Sequence, residues 1–521
     1  MIVPVLVLML AQMGTSGENG AMAIAAASLT KQLGASMADI QLANVIYPLV
    51  AGASMVAGGM LGIIIGWKKN LRIGLALASI GELIAAFAPN MFVFTWVGRL
   101  IVGVGASLLV PSLLGMVPTV YKSVRNRALA FGCIGAAMGI ANVLPLILGL
   151  VMDAAGFRVT FGLIGAYFGL VLLASFGIPK TEQSTSGLKF DFIGSVFALV
   201  GLFLLLLGIS RISVWGLIEP MPEAPFTVMG ISPAPVLIVL GLIVLAVMFS
   251  VERKIEEKNG CALIPRSFYE TPQVLSGLAG CAGIFVFNGA MTILMVPYLQ
   301  LVAGWNALST GLITIAYGIP MFIAALGQPK LLPQLNPKVV LKAGYLITAV
   351  ATLVLSFSFV ETGITPLVWF GTMIAGIGSG LMSAQASNVV ALAVNDRDAA
   401  QSGGVQATAR NVSQAIAIAG LGSVLLFGIS GGVVASAQES AVLSPAAKEW
   451  VADQSFSLTS DAGLVARTED SGMDDAEVEE LVSINARERV DNVRIGMYVT
   501  AVVLLLLSLS TRGVTVTGKE G

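Results

Sequence analysis

The chain has 521 residues, of which 56% are hydrophobic and only 11% are charged. A soluble domain carries roughly a quarter of its residues as Asp, Glu, Lys and Arg, so a surface this poor in charge must be solvated by lipid. The net charge of -1 excludes a basic nucleic-acid-binding protein. Histidine is absent, so any proton coupling must use carboxylates.

Cys133, Cys261 and Cys281 are the three cysteines of the chain. They have no metal-ligand spacing, and their odd number argues against a complete disulfide framework. We therefore predict no metal and no cofactor.

Fourteen apolar segments are long enough to span a bilayer, which takes about 20 helical residues. The N-terminal stretch MIVPVLVLMLAQMG lacks the basic region and the cleavage site of a signal peptide, so we interpret it as the start of the first span. The predicted spans are 2–27, 42–65, 71–89, 92–117, 128–151, 159–178, 192–210, 234–251, 274–298, 308–327, 338–358, 366–393, 404–432 and 493–511. They predict an all-α integral membrane protein.

Lys and Arg cluster in alternate connectors between these spans. The connectors WKKNLR, YKSVRNR, ERKIEEKNG and PKLLPQLNPK hold clustered Lys and Arg, whereas FAPNM and LVAGWNALS hold none. The positive-inside rule then predicts a multi-pass protein of the plasma membrane with both termini in the cytoplasm.

The connector 433–492 is long and acidic, and it lies on the predicted outer side. Ser444 is a candidate helix N-cap, with Pro445 at the first helical position. The acidic start of MDDAEVEELVSINARERVDN predicts a helix that continues into the last span. We interpret 433–492 as a solvated helical hairpin over the outer mouth, with a docking site for a partner as the alternative.

A weak internal repeat indicates two related halves. The segments Gly58–Gly74 and Gly327–Gly344 each bracket a lysine-bearing turn after the second span of a group of six. We therefore predict two six-helix bundles, 1–180 and 261–521, joined by two linker helices within 181–260. Such duplication is typical of transporters, whose substrate site lies between the halves.

Residues 59–74, 98–112 and 139–161 carry glycines, prolines and basic residues in an order that resembles motifs of the major facilitator superfamily, in its fourteen-span drug:proton antiporter branch. GMLGIIIGWKKNLRIG is similar to the gate loop, GRLIVGVGASLLVPS to the fourth-span motif and GIANVLPLILGLVMDAAGFRVTF to the fifth-span antiporter motif. LAQMGTSGENGAMAIAAASL aligns Glu18 with an acidic residue typical of the branch, and YLQLVAGWNALSTGL and SGGVQATARNVSQAIAIAG extend the resemblance over the second half.

The resemblance implies gate and hinge residues, but four positions of this chain differ from the motifs of the family. The implied positions are Gly59, Gly66, Lys68 and Lys69 at the gate and Gly139, Pro145 and Gly149 at the hinge. Ile63 replaces the gate Asp, Trp67 its Arg partner, Val102 a usual Gln, and Leu144 the Gly before the hinge proline. We expect an inner gate held more by apolar contact than by charge.

Three charged residues within spans are candidates for proton coupling. Glu18 lies deep in an apolar stretch, where an ionised carboxylate is costly, so it either faces a cavity and exchanges a proton or is a neutral structural group. Arg99 needs a partner, for which Glu18 is the first candidate and Glu82 the second; a structural clamp is the alternative. Glu82 lies near the outer end of its span, which favours a solvated edge over a functional role.

Other polar residues allow weaker hypotheses. Arg410 is expected to pair with Asp396 or Asp398 or to extend towards water, and Asp153 with Arg158 is a candidate outer gate pair. Four amides are candidate substrate contacts, with interhelical hydrogen bonding as the alternative: Gln300, Gln406, Asn411 and Gln414.

The resemblance implies a proton-coupled transporter that exports hydrophobic or cationic small molecules by alternating access. Its partners would be substrate, protons and membrane lipid. It would be a monomer, and it would be a transporter rather than an enzyme. Two alternatives stay open: an exporter or uptake porter of a single metabolite, and a non-transporting membrane sensor or assembly protein.

Overall fold

The structure is a computed structural model, and it describes most of the chain. The described residues are 2–35, 37–121, 123–141, 143–178, 191–221, 224–259, 263–361, 363–394, 402–454, 456, 458, 460–469 and 471–515. Within these ranges the protein is built from helices and one two-stranded antiparallel sheet. The predicted all-helical membrane class is confirmed.

The helices follow the predicted segments in chain order. The first part contains α1 (Ile2–Ile24), α2 (Ala26–Leu33), α3 (Met37–Ile65), α4 (Trp67–Ala86), a π-helical turn (Val93–Arg99) leading into α5 (Leu100–Val120), α6 (Val124–Ala141), α7 (Leu144–Ala174), a 3-10 turn (Ser175–Gly177), α8 (Phe192–Trp215) and α9 (Pro233–Asn259). The second part contains α10 (Ser267–Glu270), α11 (Pro272–Ala290) with π-helical turns at Met291–Met295 and Tyr298–Val302, α12 (Ala307–Leu331), α13 (Pro337–Ser356), β1 (Phe359–Val360), β2 (Gly363–Ile364), α14 (Leu367–Ala393), α15 (Ser402–Glu439), α16 (Pro445–Ala452), α17 (Asp461–Thr468), α18 (Asp475–Ser508) and a 3-10 turn (Leu509–Gly513).

Twelve helical stretches of the described chain are long and apolar enough to cross a membrane, so the predicted count of fourteen is not confirmed. The predicted segments 2–27 and 71–89 form helices α1 and α4, which are not among the twelve. Their composition gives the reason: α1 contains the polar stretch QMGTSGENG, and α4 carries two lysines, one arginine and one glutamate. Many large apolar side chains of the spanning helices point outwards, where a lipid solvent would lie.

Two pairs of helices approach each other through equivalent glycines. A Cβ atom added at Gly74 of α4 would lie 2.8 Å from the carbonyl oxygen of Gly105 in α5. A Cβ atom added at Gly344 of α13 would lie 2.8 Å from the carbonyl oxygen of Gly378 in α14. Gly74 and Gly344 therefore serve the same close packing. The other pair of the repeat does not, because a Cβ atom at Gly58 would lie 2.1 Å from the carbonyl oxygen of Ser107 and one at Gly327 would meet only Leu331 at 3.8 Å.

Helices of the two predicted halves pack against each other at several places. Helix α6 contacts α12 and α14, while α3 and α5 contact α15. Helices α8 and α9 pack together, and α8 also contacts α3 and α15. The pair that we predicted as a linker therefore lies beside one helix from each half.

The connector after α15 is a packed helical unit. Ser444 caps α16 by accepting a hydrogen bond from the backbone N–H of Ala447, with Pro445 in the first turn, as predicted. Asp474 and Glu477 form a capping box at the start of α18. Apolar side chains of this unit, Leu443, Val451, Phe456, Leu464 and Leu481, belong to the same buried core as residues of α11 and α12. The unit is therefore continuous with the core of the second half.

Candidate functional site

The first candidate site is a buried charged cluster among α1, α4 and α5. The guanidinium Nη1 of Arg99 donates a hydrogen bond to Oε1 of Glu18, and the same nitrogen lies 3.7 Å from Oε1 of Glu82. The three residues are at most 1% exposed. The structure therefore brings together all three residues predicted for proton coupling.

Small residues allow α4 to lie close enough for this contact. A Cβ atom at Gly81 would lie 2.9 Å from the carbonyl oxygen of Gly98, and one at Gly98 would lie 3.0 Å from Cβ of Ala85. The π-helical turn in which Gly98 lies ends at Arg99 itself. Such turns occur frequently at functional sites because they alter the direction of side chains along a helix.

The observed position of Glu82 contradicts one prediction. We expected it at a solvated edge, but its side chain is fully buried beside Arg99. The reason is tertiary: Gly81 packs the glutamate's face of α4 against α5 rather than against the water interface. Sequence position along the span could not reveal this choice of face.

The cluster holds two carboxyl groups and one permanent cation. Among the described residues, neither Oε2 of Glu18 nor either carboxyl oxygen of Glu82 has a hydrogen-bond partner. A buried carboxylate without compensation costs several kcal/mol, so the excess negative charge requires a proton or another cation. The arrangement can therefore take up one positive charge.

Tyr47 of α3 completes the surroundings of Arg99, and sequence reasoning missed it. Its ring centroid lies 5.0 Å from Cζ of Arg99, within cation–π range. A Cβ atom at Gly103 of α5 would lie 3.0 Å from the carbonyl oxygen of Tyr47, so this glycine sets the approach of α3. The sequence offered little reason to select Tyr47, because an aromatic residue in an apolar helix usually packs in the hydrophobic core.

The loop between α3 and α4 has an apolar core in place of the gate charges. Ile63 and Trp67 are 3% and 1% exposed, and both belong to the core of the first half. Cβ atoms at Gly62 and Gly115 would lie 2.3 Å and 2.5 Å from the Trp67 ring, so these glycines make room for it. Gly66, with a φ of 94°, adopts a conformation that suits glycine and precedes α4.

One lysine and one asparagine anchor this loop. Lys68 Nζ donates to the carbonyl of Ile178, and the side chain of Lys69 is exposed. Asn70, which we did not predict, donates through Nδ2 to the carbonyl oxygens of Gly58 and Leu108 at 3.1 Å and 3.0 Å. This fully buried amide therefore joins α3, α4 and α5.

The hinge residues occupy different places. A Cβ atom at Gly139 of α6 would lie 2.5 Å from the carbonyl oxygen of Gly318 in α12, so Gly139 permits close contact between the halves. Pro145 lies in the first turn of α7, after the break that follows Ala141. A proline in a first turn displaces no helical hydrogen bond, and the hinge role of Pro145 stays a prediction. Gly149 lies one turn further along α7.

Three of the four candidate amides lie in α15, and the fourth, Gln300, lies elsewhere. Gln300 is exposed in the middle of the π-helical turn Tyr298–Val302, and Gln414 is half-buried in α15. The Nδ2 group of Asn411 contacts Met55 Sδ at 3.1 Å and the carbonyl of Ala407 at 3.0 Å. Gln406 is fully buried and accepts a weak hydrogen bond from Cys281 Sγ at 3.8 Å.

The remaining charged candidates can be placed only in part. Arg410 Nη2 donates to Ser387 Oγ at 3.2 Å, whereas Asp396 and Asp398, its predicted partners, lie outside the described residues. Arg158 donates to the carbonyl of Ala86 at 3.2 Å. The side chain of Asp153 is outside the described part as well, so the outer gate pair stays a prediction.

Close backbone contacts join the halves where α15 begins. A Cβ atom at Gly59 of α3 would lie 2.9 Å from Cα of Gly404, and one at Gly403 would lie 2.3 Å from the carbonyl oxygen of Pro111 in α5. These distances leave no room for a side chain. The predicted gate residue Gly59 therefore lies at a contact between α3 and α15.

A family model described as the Major Facilitator Superfamily matches residues 6–418. The chain belongs to the Major Facilitator Superfamily. This match covers the charged cluster, the loop between α3 and α4, and the contacts of the halves with the start of α15.

Curated relatives of this superfamily member include exporters and resistance proteins. The probable actinorhodin transporter of Streptomyces coelicolor is 26% identical over 79% of this chain and 70% of its own length. The puromycin resistance protein pur8 of Streptomyces alboniger is 24% identical over 77% of each chain. The multidrug resistance protein Stp of Mycobacterium tuberculosis is 22% identical over 89% of this chain and 82% of its own length.

Solved structures share the fold of this superfamily member at low identity. The proton:xylose symporter XylE matches with a TM-score of 0.57, 12% identity and coverage of 97% of this chain and 94% of its own. The human organic anion transporter MFSD10 matches with a TM-score of 0.56, 12% identity and coverage of 98% of each chain. At this identity the comparisons establish the fold alone.

Proposed function

We propose that this protein exports lipophilic small molecules in exchange for protons, by alternating access. The observation that carries the proposal is the buried cluster of Glu18, Glu82 and Arg99, which holds one carboxyl group more than its cation can neutralise. The names of the relatives, among them a tetracenomycin C resistance and export protein, support export of small molecules.

Proton exchange in this cluster would proceed through competition for Arg99. Its Nη1 is bonded to Glu18 and lies 3.7 Å from Glu82, so a small movement of the guanidinium changes its partner. Protonation of one carboxyl group removes its attraction for Arg99 and frees the cation for the other. Because the cluster joins α1, α4 and α5, the change of partner would alter how these helices pack.

The membrane arrangement is part of the proposal. We infer fourteen spans, with α1 and α4 completing the first six-helix bundle and α8 with α9 forming the linker pair. Both termini and the start of α15 would face the cytoplasm, so the glycine contacts of α15 with α3 and α5 would close the inner side. Opening that side requires these contacts to separate.

The experiment uses inverted vesicles that contain the full chain and a fluorescent lipophilic substrate. An imposed pH gradient should drive accumulation by the wild type. Glu18→Gln keeps the shape but cannot exchange the proton, so it should lose gradient-driven accumulation while still exchanging labelled for unlabelled substrate. Gln12→Asn, a change in the same helix, is the control and should leave pumping unchanged.

Full proton-driven export by Glu18→Gln would contradict this role of Glu18. The same measurement on Glu82→Gln would then decide whether Glu82 alone carries the proton. Loss of exchange together with pumping would indicate that Glu18 contacts the substrate itself.

A further inference from the structure

A second buried arginine lies in the other half of the protein, in α15. Arg410 is 7% exposed, and Phe285 of α11 lies with its ring centroid 5.8 Å from Cζ of the guanidinium. One turn earlier on α15, the fully buried Gln406 faces Cys281, which lies one turn before Phe285 on α11. Gln406 and Arg410 therefore face α11 in matching register.

The charge of Arg410 is not neutralised within the described part of the chain. Its hydrogen bond goes to the neutral hydroxyl of Ser387, and no carboxylate lies within ion-pair distance among the residues that the structure describes. A ring face attracts a cation but carries no net charge. Arg99, by contrast, has two carboxyl groups beside it.

Two donor groups at this place have no acceptor among the described residues. They are Nε of Arg410 and the Nε2 amide of Gln406. A fully buried donor without a partner costs free energy, and a buried unpaired cation costs more. Both donors would be satisfied by a ligand that brings acceptor oxygens and a negative charge.

The location suits a ligand that binds between the halves. Arg410 lies two turns beyond Gly403, on nearly the same face of α15, and Gly403 packs against Pro111 of α5. Asn411, the next residue, contacts Met55 of α3. Substrate sites of two-halved transporters lie at this kind of interface, near the middle of the membrane.

We propose that Arg410 and Gln406 form an anion-binding subsite, and that the exported compound is a lipophilic molecule with a carboxylate or phenolate group. The guanidinium supplies charge and a planar pair of donors, and the amide supplies a further donor. This inference rests on the proposed export function and narrows its substrate class from lipophilic small molecules in general to anionic ones.

The test compares two dyes with the same xanthene ring system and opposite charge, anionic fluorescein and a cationic rhodamine ester. Binding to the purified full-length protein is measured by fluorescence polarisation, and transport is measured in inverted vesicles. The wild type should bind and accumulate fluorescein. Arg410→Gln should weaken fluorescein binding by about tenfold to a hundredfold, the effect of losing a charged hydrogen bond.

Two further variants control for folding and for general effects of charge. Arg410→Lys keeps the charge but loses the planar pair of donors, so its affinity should be intermediate. Arg211→Gln removes an equally buried arginine, 8% exposed, from α8 of the linker pair and should leave fluorescein binding unchanged. Equal weakening by Arg211→Gln and Arg410→Gln would overturn the proposal.

The outcomes separate this inference from the export function. Export of rhodamine with no binding of fluorescein would leave export standing and refute the subsite. Binding of fluorescein through Arg410 with no transport of either dye would support the subsite and refute export. Stabilisation by chloride alone, measured against gluconate at equal ionic strength and without fluorescein binding, would show an inorganic counter-ion and overturn the substrate assignment.

Discussion

Gly403→Ala is expected to open the side of the protein at which α15 begins. A Cβ atom at this position would lie 2.3 Å from the carbonyl oxygen of Pro111 and 3.0 Å from the backbone nitrogen of Gly115. Ordinary contact needs about 3.4 Å, so α15 and α5 must separate by about 1 Å or leave this state. Overpacking of this kind costs about 1–3 kcal/mol, which shifts a two-state equilibrium by about fivefold to a hundredfold.

The distance between spin labels measures the shift directly. Lys69 near the start of α4 and Lys342 near the start of α13 are both exposed, and they lie in corresponding helices of the two halves. In a cysteine-free background, labels at these positions should show a longer distance in Gly403→Ala than in the parent protein.

The matched control lies in the same helix. A Cβ atom at Gly420 of α15 would have no atom within 4 Å, so Gly420→Ala should leave the distance distribution unchanged. An unchanged distribution in Gly403→Ala at normal abundance, or the same shift in Gly420→Ala, would refute the reasoning.

Three further predictions test the surrounding structure. Ile63→Asp places an unpaired carboxylate in the apolar core beside Trp67, so it should lower the free energy of unfolding by several kcal/mol and remove most of the protein from the membrane. Ile63→Val should do neither. Normal abundance of Ile63→Asp with altered turnover would instead indicate a gating role. Asp474→Ala removes the capping box of α18 and should lower the unfolding free energy of the helical unit after α15 by about 1 kcal/mol. Proteolysis should then be faster in Asp474→Ala than in the control Asp475→Ala, and equal rates would contradict this prediction. Ala466→Cys should react with a membrane-impermeant thiol reagent on intact cells and Lys69→Cys should not, and the reverse result would overturn the proposed orientation.

The sequence was sufficient for features that depend on local pattern. Apolar segments predicted the spanning helices, and Ser444 with Pro445 predicted the start of α16. The pairing of Glu18 with Arg99 was also predictable, because a buried arginine requires an acceptor and Glu18 was the deepest acid in the half. The two segments with internal polar residues, α1 and α4, were the places where counting spans became uncertain.

Features that depend on which helix faces meet were not predictable. Glu82 looked like an edge residue until the packing of Gly81 against α5 placed it inside. Trp67 looked like a defect in a gate motif, yet Gly62 and Gly115 make space for its ring. The space for Trp67 cannot be inferred from its own position in the chain. Gly62 and Gly115 lie five and forty-eight positions away in sequence, and only the fold brings both beside the ring.

The proposed anion-binding subsite also depends on which helix faces meet. Arg410 was expected to pair with Asp396 or Asp398 or to extend towards water. Its described contacts are with Ser387 and Phe285, and the two aspartates lie outside the described residues. Only the structure relates this arginine to Gln406 and to the interface between the halves.

The measurement that tests the central claim most directly is proton movement on addition of substrate. Proteoliposomes with the full chain would carry a pH gradient, reported by a trapped pH indicator, and would then receive a transported dye. We predict that the dye collapses the gradient in proportion to its own uptake, and that Glu18→Gln shows no such coupling. Dye transport by the wild type that leaves the gradient untouched would contradict the account.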